Sequence, residues 1–561
     1  MNMISEAKKQ VSDIIVNAVN KLFKDGKLQN ADIPDFNVEI PADSKNGDMS
    51  SNFALICARV FKKSPRDIAM LIAEAAELQG SYYEKIEIAG PGFINFFFSP
   101  DWFSKTVESI ISSGEEYGKT DFGKGKKVLI EFVSANPTGP MHIGNARGGA
   151  IGDCLASVME KAGYEVSREF YVNDAGNQIE KFKTSLECRY LALYKDGIEM
   201  PEDAYHGEDI VNHAKAFAEL NGDKFVDADP EVRRQALCDF ALPKNIEGLE
   251  RDLGKYRIKY DTWFKESELH KSGAVLDILD KLKNSGYTYE QDGALWFKSS
   301  ELGDEKDRVL VRENGIPTYF VPDIAYHYNK LVTREYDKAI DILGADHHGY
   351  IPRMKAAMAA LGVDTGKLDM VIMQMVNLVR DGERYKLSKR SGKAITLSTL
   401  LDEIPIDAAR FFFNLREPDS HFDFDIDLAI SESSQNPVYY VQYAHARICS
   451  ILKNLEDDKI EVGKFDENSA KLLTSPEEKE LIKHLAGLPD CVLESARDYD
   501  PSKITRYVVE TATLYHKFYS SCRVKCDDVS LMKGRISLCL AVKQVIKNIL
   551  DMLKITCPEH M

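Results

Sequence analysis

Residues 128–151 read VLIEFVSANPTGPMHIGNARGGAI, and the rest of the chain is understood from this stretch outward. Residues 128–133 form a short continuous apolar run, the pattern of a strand buried on both faces. Asn136, Pro137, Thr138, Gly139 and Pro140 are turn formers, and a helix is predicted to open near His142. A strand feeding a helix through a Gly/Pro turn is how nucleotide-binding α/β folds hold phosphates. The first N–H groups of the helix lack intrahelical partners and carry partial positive charge. His142 and Asn145 lie about one turn apart and can both aim at a triphosphate, while Gly144 leaves room for a flat base against the backbone. These residues point to ATP held for attack on its α-phosphate.

The bulk properties set the frame. A chain of 561 residues, 44% hydrophobic and 29% charged, is long enough for roughly three or four domains with a sizeable core. No apolar run approaches the roughly 20 residues of a membrane span. Residues 1–23 carry Glu6 and Asp13, unlike a secretory or mitochondrial targeting segment, so a cytoplasmic protein is expected. The ten cysteines show no repeated CxxC spacing, and Cys522 and Cys526 have no second pair nearby, so no bound metal is expected. A formal charge of −17 argues against a nucleic-acid partner unless basic residues are concentrated locally.

Along the chain the patterning predicts an α/β protein with a Rossmann-type parallel-sheet core, an N-terminal α+β module and a C-terminal all-α bundle. The boundaries are read as 1–115, 116–425 with a helical insertion at about 180–255, and 426–561. In the first module, helices are expected from Ile4 to Phe23 and after Ser64-Pro65, followed by a hairpin turned by Gly90-Pro91-Gly92. Residues 47–54, GDMSSNFA, read as a polar, turn-like loop. Residues 171–179, YVNDAGNQI, run into a helix with apolar positions at Ile179, Phe182, Leu186, Tyr190 and Leu193. Hairpins are expected at Asp292-Gly293 and at Asn314-Gly315, the latter between RVLVRE and PTYFV. A strand KAIDILG, a helix over 350–361 and one strand over 370–379 ending in the turn RDGER follow. Beyond Leu400 the pattern is helical almost throughout, with starts at Ser475-Pro476 and Asp500-Pro501.

A second chemical element lies about 240 residues beyond the first: Lys386-Leu387-Ser388-Lys389-Arg390. Most Lys-rich five-residue stretches are solvated surface loops. Forming an adenylate, however, passes through a pentacoordinate α-phosphate with charge spreading onto pyrophosphate, so catalysis is positioning plus positive charge. Two lysines three residues apart, facing a histidine at a helix start, supply that charge.

Together these motifs resemble the HIGH and KMSKS signatures of class I aminoacyl-tRNA synthetases. SANPTGPMHIGNAR, YVNDAGNQI, GDEKDRVLV, TYFVPDIAYH, GADHHGYIPR, NPVYYVQYAHARICSI and YHKFYSSCRV resemble, in order, the patterns of the arginyl-tRNA synthetase family. Two positions depart from them: Asn145 stands where the family often has a second histidine, and Arg390 where the second motif ends in serine. An amide still donates to phosphate, without the option of a proton.

The resemblance implies ATP and arginine as substrates, Mg²⁺ as the ATP counter-ion, tRNA(Arg) as partner, and a monomer. It implies catalytic and ATP-binding roles for His142, Asn145, Lys386 and Lys389, with Gly144 and Ser388 also at the nucleotide. It places arginine against Glu131, Ser134, Asn136, Glu266, Tyr319, Asp323 and His347. His347-His348 has the look of a metal half-site but is read as lining the cleft. A guanidinium is planar and permanently charged with five donors, so carboxylates are the selective choice. Lysine would leave them unpaired, which can reject it by about 10⁴ without an editing domain, so the insertion need not edit. For tRNA, the resemblance implies an N-terminal module at the elbow and an anticodon site at Tyr440, Tyr443, Tyr519 and Met561, with Arg447 and Arg523 nearby. Two other readings stay open: a HIGH-type nucleotidyltransferase acting on a small acid, which has no need of the helical C-terminal region, and a catalytically silent tRNA-binding paralogue, against which His142, Lys386 and Lys389 count.

Overall fold

The computed structural model describes residues 2–385 and 396–561. Its N-terminal module comprises α1 (Met3–Lys24), β1 (Val38–Glu39), β2 (Met49–Ser51), α2 (Phe53–Phe61), α3 (Pro65–Ala75), β3 (Tyr83–Ala89), β4 (Phe93–Phe98) and α4 (Pro100–Ser113). The strands form an antiparallel sheet in the order β1-β2-β4-β3. Ser64 caps α3 as its sequence promises, its hydroxyl accepting the Asp67 N–H at 3.1 Å with Pro65 at the first helical position. The expectation for residues 47–54 needs correction. Met49–Ser51 is a fully buried strand, and Phe53 already starts α2. Its polar side chains are buried because partners reach them from the neighbouring strand: Ser50 donates to Asn95 Oδ1 at 2.8 Å, and Asp48 accepts the Phe98 N–H at 2.7 Å.

The core begins with β5 (Lys127–Glu131), α5 (Gly144–Lys161) and β6 (Glu165–Val172). The insertion follows as α6 (Asn177–Leu191), α7 (Glu208–Asn221) and α8 (Pro230–Lys255), with an apolar core of its own around Phe182, Tyr190 and Phe217. Leu193 falls two residues beyond the end of α6 and is exposed. Next come β7 (Thr262–Lys265), α9 (Glu266–Lys271), α10 (Ala274–Asn284), β8 (Thr288–Gln291), β9 (Ala294–Phe297), β10 (Arg308–Val311), α11 (Phe320–Tyr328), β11 (Lys338–Gly344), α12 (Tyr350–Ala360) and β12 (Leu368–Met373). The Asp292-Gly293 hairpin joins β8 to β9. At Asn314-Gly315 the returning arm lasts a single bridge, Val311 to Pro317, before TYFV turns into α11.

The central sheet is parallel, in the order β12-β11-β5-β6-β7. The chain runs outward from β5 through β6 to β7, then crosses back to place β11 on the other side of β5. That reversal makes the β5/β11 boundary the topological switch point, where α/β sheets open a crevice at the carboxyl ends of their strands. Glu131 and Asp341, near the ends of these two strands, face each other in register. Helix α5 can lie close to the sheet because a Cβ on Gly152 would come within 2.2 Å of the Phe132 ring.

The single strand expected over 370–379 is two strands in different sheets. After β12 the chain breaks at Gln374-Met375 and resumes as β13 (Val376–Arg380), which turns through Asp381-Gly382 into β14 (Glu383–Arg384). Then follow α13 (Leu397–Glu403), α14 (Ile406–Phe413), β15 (Phe422–Asp425) and α15 (Ile426–Ile430), with β15 parallel to β13. The helical C-terminal region consists of α16 (Pro437–Asp457), α17 (Glu467–Ala470), α18 (Pro476–Ala486), α19 (Leu488–Arg497), α20 (Ser502–Ser521) and α21 (Val529–Met552). Ser475 and Glu478 close the capping box that begins α18.

Candidate active site

The loop from β5 to α5 is held in an unusual backbone. Val133 (φ 73°) and Ser134 (φ 43°) both lie in the left-handed region, a costly conformation for a β-branched residue that persists only where its surroundings enforce it. The Ser134 hydroxyl donates to Glu131 Oε1 at 2.7 Å and accepts the Tyr171 N–H at 3.2 Å; the Tyr260 hydroxyl donates to the Phe132 carbonyl at 3.0 Å. At the far end, His142 is exposed and its Nδ1 accepts the Gly144 N–H at 3.0 Å. That bond puts the imidazole proton on Nε2, the nitrogen left to donate outward. The Asn145 and Ala146 N–H groups bond back to the His142 and Ile143 carbonyls at 3.0 and 2.9 Å. The expectation that the first amides of α5 await a phosphate is therefore modified: three of them already have partners, leaving the helix dipole, His142 Nε2 and the half-buried Asn145 side chain.

Lys386, Ser388, Lys389 and Arg390 lie outside the described residues. The residue that resumes the chain does not: Thr396 forms an antiparallel bridge with His142, and the Leu397 N–H donates to the Met141 carbonyl at 2.9 Å. The first motif thus meets, at a backbone junction, a stretch far away in sequence that begins six residues beyond Arg390. Arg380 on β13 pairs with Glu403 on α13 at 3.2 Å, tying together the elements on either side of the segment.

Across the switch point lies a set of carboxylates. Asp323 sits in the first turn of α11, and Tyr319, just before the helix, is exposed with its ring beside Gly176. Glu266 begins α9 at the end of β7 and is buried. Burial pushes the Asp323 carboxyl up to about 6; a hydrogen bond from Tyr350 opposes this, and the nearby Glu266 and Glu131 add to it. Tyr171 faces both Glu266 and Asp323, and burial raises its phenol far beyond the usual range. With its nitrogen turned inward, the Asn173 amide donates to Glu266 Oε2 at 3.1 Å. His347 is exposed, its ring 6.4 Å from that of Tyr350, and Asn136 is exposed on the loop.

Behind this set runs a fully paired network. Lys330, with no exposed side-chain surface, donates to Glu131 Oε2 at 2.5 Å and Asp341 Oδ1 at 2.7 Å, and His327 lies 2.6 Å from Asp341 Oδ2. Burial disfavours the ammonium, but the carboxylates of Asp341 and Glu131 outweigh it and hold Lys330 protonated. Glu131 and Ser134 are therefore occupied largely within the protein. Other buried acids are paired too: Asp153 with Arg168 and Arg410, Glu169 with Arg334, Glu187 with Arg233, Asp304 with Arg308, Glu478 with Arg535. Among the described residues, Asp323 and Glu266 have no lysine or arginine partner; Glu266 has only His270 at 3.4 Å.

Sequence reasoning missed Tyr171, Asn173 and Tyr350, although each stands in or beside a motif already singled out. His327 closes the motif TYFVPDIAYH and Asp341 sits in the predicted strand KAIDILG, but their network with Lys330 becomes visible only through the pairing. No group of three or more His, Cys, Asp or Glu among the described residues is placed to hold a metal ion.

On the helical C-terminal region, Tyr440, Tyr443 and Tyr519 converge. The His516 ring lies 4.8 Å from Tyr440 and 6.0 Å from Tyr443, and the Arg447 guanidinium lies 4.1 Å over Tyr519 and 5.8 Å over Tyr443. The exposed Met561 ends a tail that the Pro558 carbonyl joins to His445 on α16 at 2.8 Å. Arg523 instead uses its carbonyl to accept from Arg535 at 2.7 Å.

A parallel sheet with a HIGN helix start at its switch point, bridged to Thr396 and followed by a helical domain, in a chain that also carries KLSKR in its sequence, defines a class I aminoacyl-tRNA synthetase. Family profiles match accordingly: "Arginyl tRNA synthetase N terminal domain" over residues 9–98, "tRNA synthetases class I (R), catalytic domain" over 106–420, and "DALR anticodon binding domain" over 441–561. The chain is 52% identical over 560 residues to the arginine–tRNA ligase of Caldanaerobacter subterraneus subsp. tengcongensis and 50% identical over 562 residues to that of Acetivibrio thermocellus, covering 100% of both chains in each case. The Thermus thermophilus arginyl-tRNA synthetase structure superposes with a TM-score of 0.73 at 21% identity, covering 99% of this chain and 100% of that one. The chain belongs to the arginyl-tRNA synthetase family.

Proposed function

We propose that this chain joins arginine to tRNA(Arg) in two steps: arginine and ATP give arginyl-adenylate and pyrophosphate, and the arginyl group then passes to the 3′ end of the tRNA. Asp323 and Glu266 carry this reading, because a half-buried and a buried acid with no lysine or arginine partner among the described residues, flanked by tyrosines, are built for a guanidinium. Arginine enters with its side chain against Asp323, Glu266 and Tyr319 and its α-groups toward Glu131, Ser134, Asn136 and His347. Its carboxylate then attacks the α-phosphate of ATP held by His142, Gly144 and Asn145. Lys386, Ser388 and Lys389 act on the leaving pyrophosphate, and the junction of His142 with Thr396 is what supports their arrival there. Mg²⁺ comes with ATP as part of the substrate.

The N-terminal module, residues 1–115, takes the tRNA elbow, and residues 426–561 take the anticodon at Tyr440, Tyr443, Tyr519 and Met561. The enzyme works as a cytoplasmic monomer. No helix among the described residues is long and apolar enough to cross a membrane. ATP–pyrophosphate exchange with each amino acid, with and without tRNA(Arg), tests the assignment. Exchange is expected with arginine alone and only in the presence of tRNA; exchange with another amino acid would overturn it.

A further inference from the structure

The helical insertion reaches into the active-site loop. Asn245 on α8 donates through Nδ2 to the Pro137 carbonyl at 3.0 Å, and its Oδ1 lies 2.7 Å from Nε2 of His213 on α7. Together the two bonds fix the amide's orientation and the imidazole's proton. Turned over, the amide would set its oxygen against the carbonyl oxygen, so Nδ2 must face Pro137 and His213 must donate from Nε2. Asp209, in the first turn of α7, flanks the same loop: a Cβ on Gly139 would stand 3.5 Å from its Oδ2. Pro137 and Thr138 are buried although they lie in a loop, and proline's carbonyl is its sole backbone hydrogen-bonding group.

The position of this contact matters. Residues 132–134 are held from the sheet side by Tyr260 and Glu131, and Met141 is held by Leu397. Between these anchors lie the residues that separate Ser134 and Asn136, at the α-groups of the amino acid, from His142, at the phosphates. Asn245 pins the midpoint of that span. Because Val133 and Ser134 hold backbone angles they would otherwise leave, a loosened midpoint lets the loop relax.

We infer that Asn245, oriented by His213, is a positioning residue that sets the distance between the amino-acid and phosphate halves of the site. The helical insertion thereby acts on catalysis without touching substrate. The inference rests on the proposed adenylation reading. The proposed arginine side-chain pocket uses Glu266 on α9, Asp323 on α11 and Tyr319 before it, none of them hydrogen-bonded to Asn245, so side-chain recognition should survive loss of the contact while alignment of the carboxylate with the α-phosphate does not. A misplacement of about 1 Å can cost about 10²-fold in rate.

The test compares wild type with Asn245→Ala, Asn245→Asp and His213→Ala at saturating tRNA. Both Asn245 and His213 are half-buried, so truncation leaves no core cavity. The Asn245 variants are expected to lose about 10- to 100-fold in kcat for arginine-dependent exchange. Asn245→Asp, which faces a carboxylate to the carbonyl, should be the worse, and His213→Ala intermediate. Arginine affinity by equilibrium dialysis and the unfolding midpoint should stay close to wild type. The inference fails if kcat is unchanged in both Asn245 variants. It also fails if arginine affinity and the unfolding midpoint fall along with kcat, which would make the contact merely structural. Wild type that does not exchange with arginine would instead overturn the adenylation reading.

Discussion

The carboxylate of the proposed arginine pocket should cost the protein stability, and Asp323→Asn exposes how much. The Asp323 carboxyl is raised from 3.8 to about 6, chiefly by burial. At about 1.4 kcal/mol per unit, a two-unit rise costs the folded state up to ~3 kcal/mol once the group is ionised. The sign follows from the order of the two values. Because the folded value lies above the unfolded one, the associated stability is complete below about pH 4 and is lost as the pH rises through about 6. Asn, uncharged and nearly the same shape, removes the penalty. Urea unfolding without arginine should therefore show Asp323→Asn more stable than wild type by up to ~3 kcal/mol at pH 7 and by about half that at pH 5.

Function should move the other way. If arginine binds as proposed, it needs the carboxylate, so wild-type affinity should fall by about tenfold between pH 7 and pH 5, where only about a tenth of the group is ionised. Arginine itself does not titrate in this window, but ATP does, so equilibrium dialysis with arginine alone is the clean assay. Asp323→Asn loses a charge-assisted hydrogen bond worth about 1.5–3 kcal/mol, a loss of affinity of roughly 10- to 150-fold that no longer varies with pH. A variant less stable than wild type at pH 7, or wild-type affinity equal at pH 5 and 7, would refute the reasoning.

Lys330→Met removes the cation between Glu131 and Asp341 and should destabilise the fold by about 3–5 kcal/mol in urea unfolding, since Glu131 loses its cation and Asp341 keeps only His327. Gly152→Ala should cost at least about 1–3 kcal/mol in the same measurement, because the added methyl meets the Phe132 ring. Arg447→Ala strips the cation from Tyr519 and Tyr443; KM for tRNA should rise by about 5- to 100-fold, matching roughly 1–3 kcal/mol for a stacked base, with kcat for aminoacylation close to wild type.

Where local chemistry decides an element, the sequence shows it. Ser64-Pro65 and Ser475-Pro476 with Glu478 cap their helices with residues only a turn away, and both starts stand where the residues put them. Where the partner is remote, the pattern misleads. Residues 47–54 look like a loop because their polarity is satisfied by Asn95 and Phe98 on another strand. The run MVIMQMVNLV has no glycine or proline to mark the change of sheet at Gln374-Met375, so apolar continuity cannot separate one strand from two.

The carboxylates show the same division at the level of function. An aspartate in TYFVPD or a glutamate in YDTWFKES is by itself an ordinary acid, and a resemblance to known motifs is what singles it out. The structure adds an independent criterion that needs no motif. A buried carboxylate that stabilises the fold has its cation in the chain, as Glu131 and Asp341 have Lys330, Glu169 has Arg334 and Asp304 has Arg308. An ionised carboxylate left buried without one is costly unless a cation arrives from outside. Glu266, after β7 with only His270 beside it, and the half-buried Asp323 on α11, close enough for each to disfavour the other's charge, come nearest to that condition. The cation they lack has to be one that two carboxylates and flanking tyrosine hydroxyls can satisfy together. A planar guanidinium meets that demand with five donors, whereas an ammonium concentrates three donors at a single point.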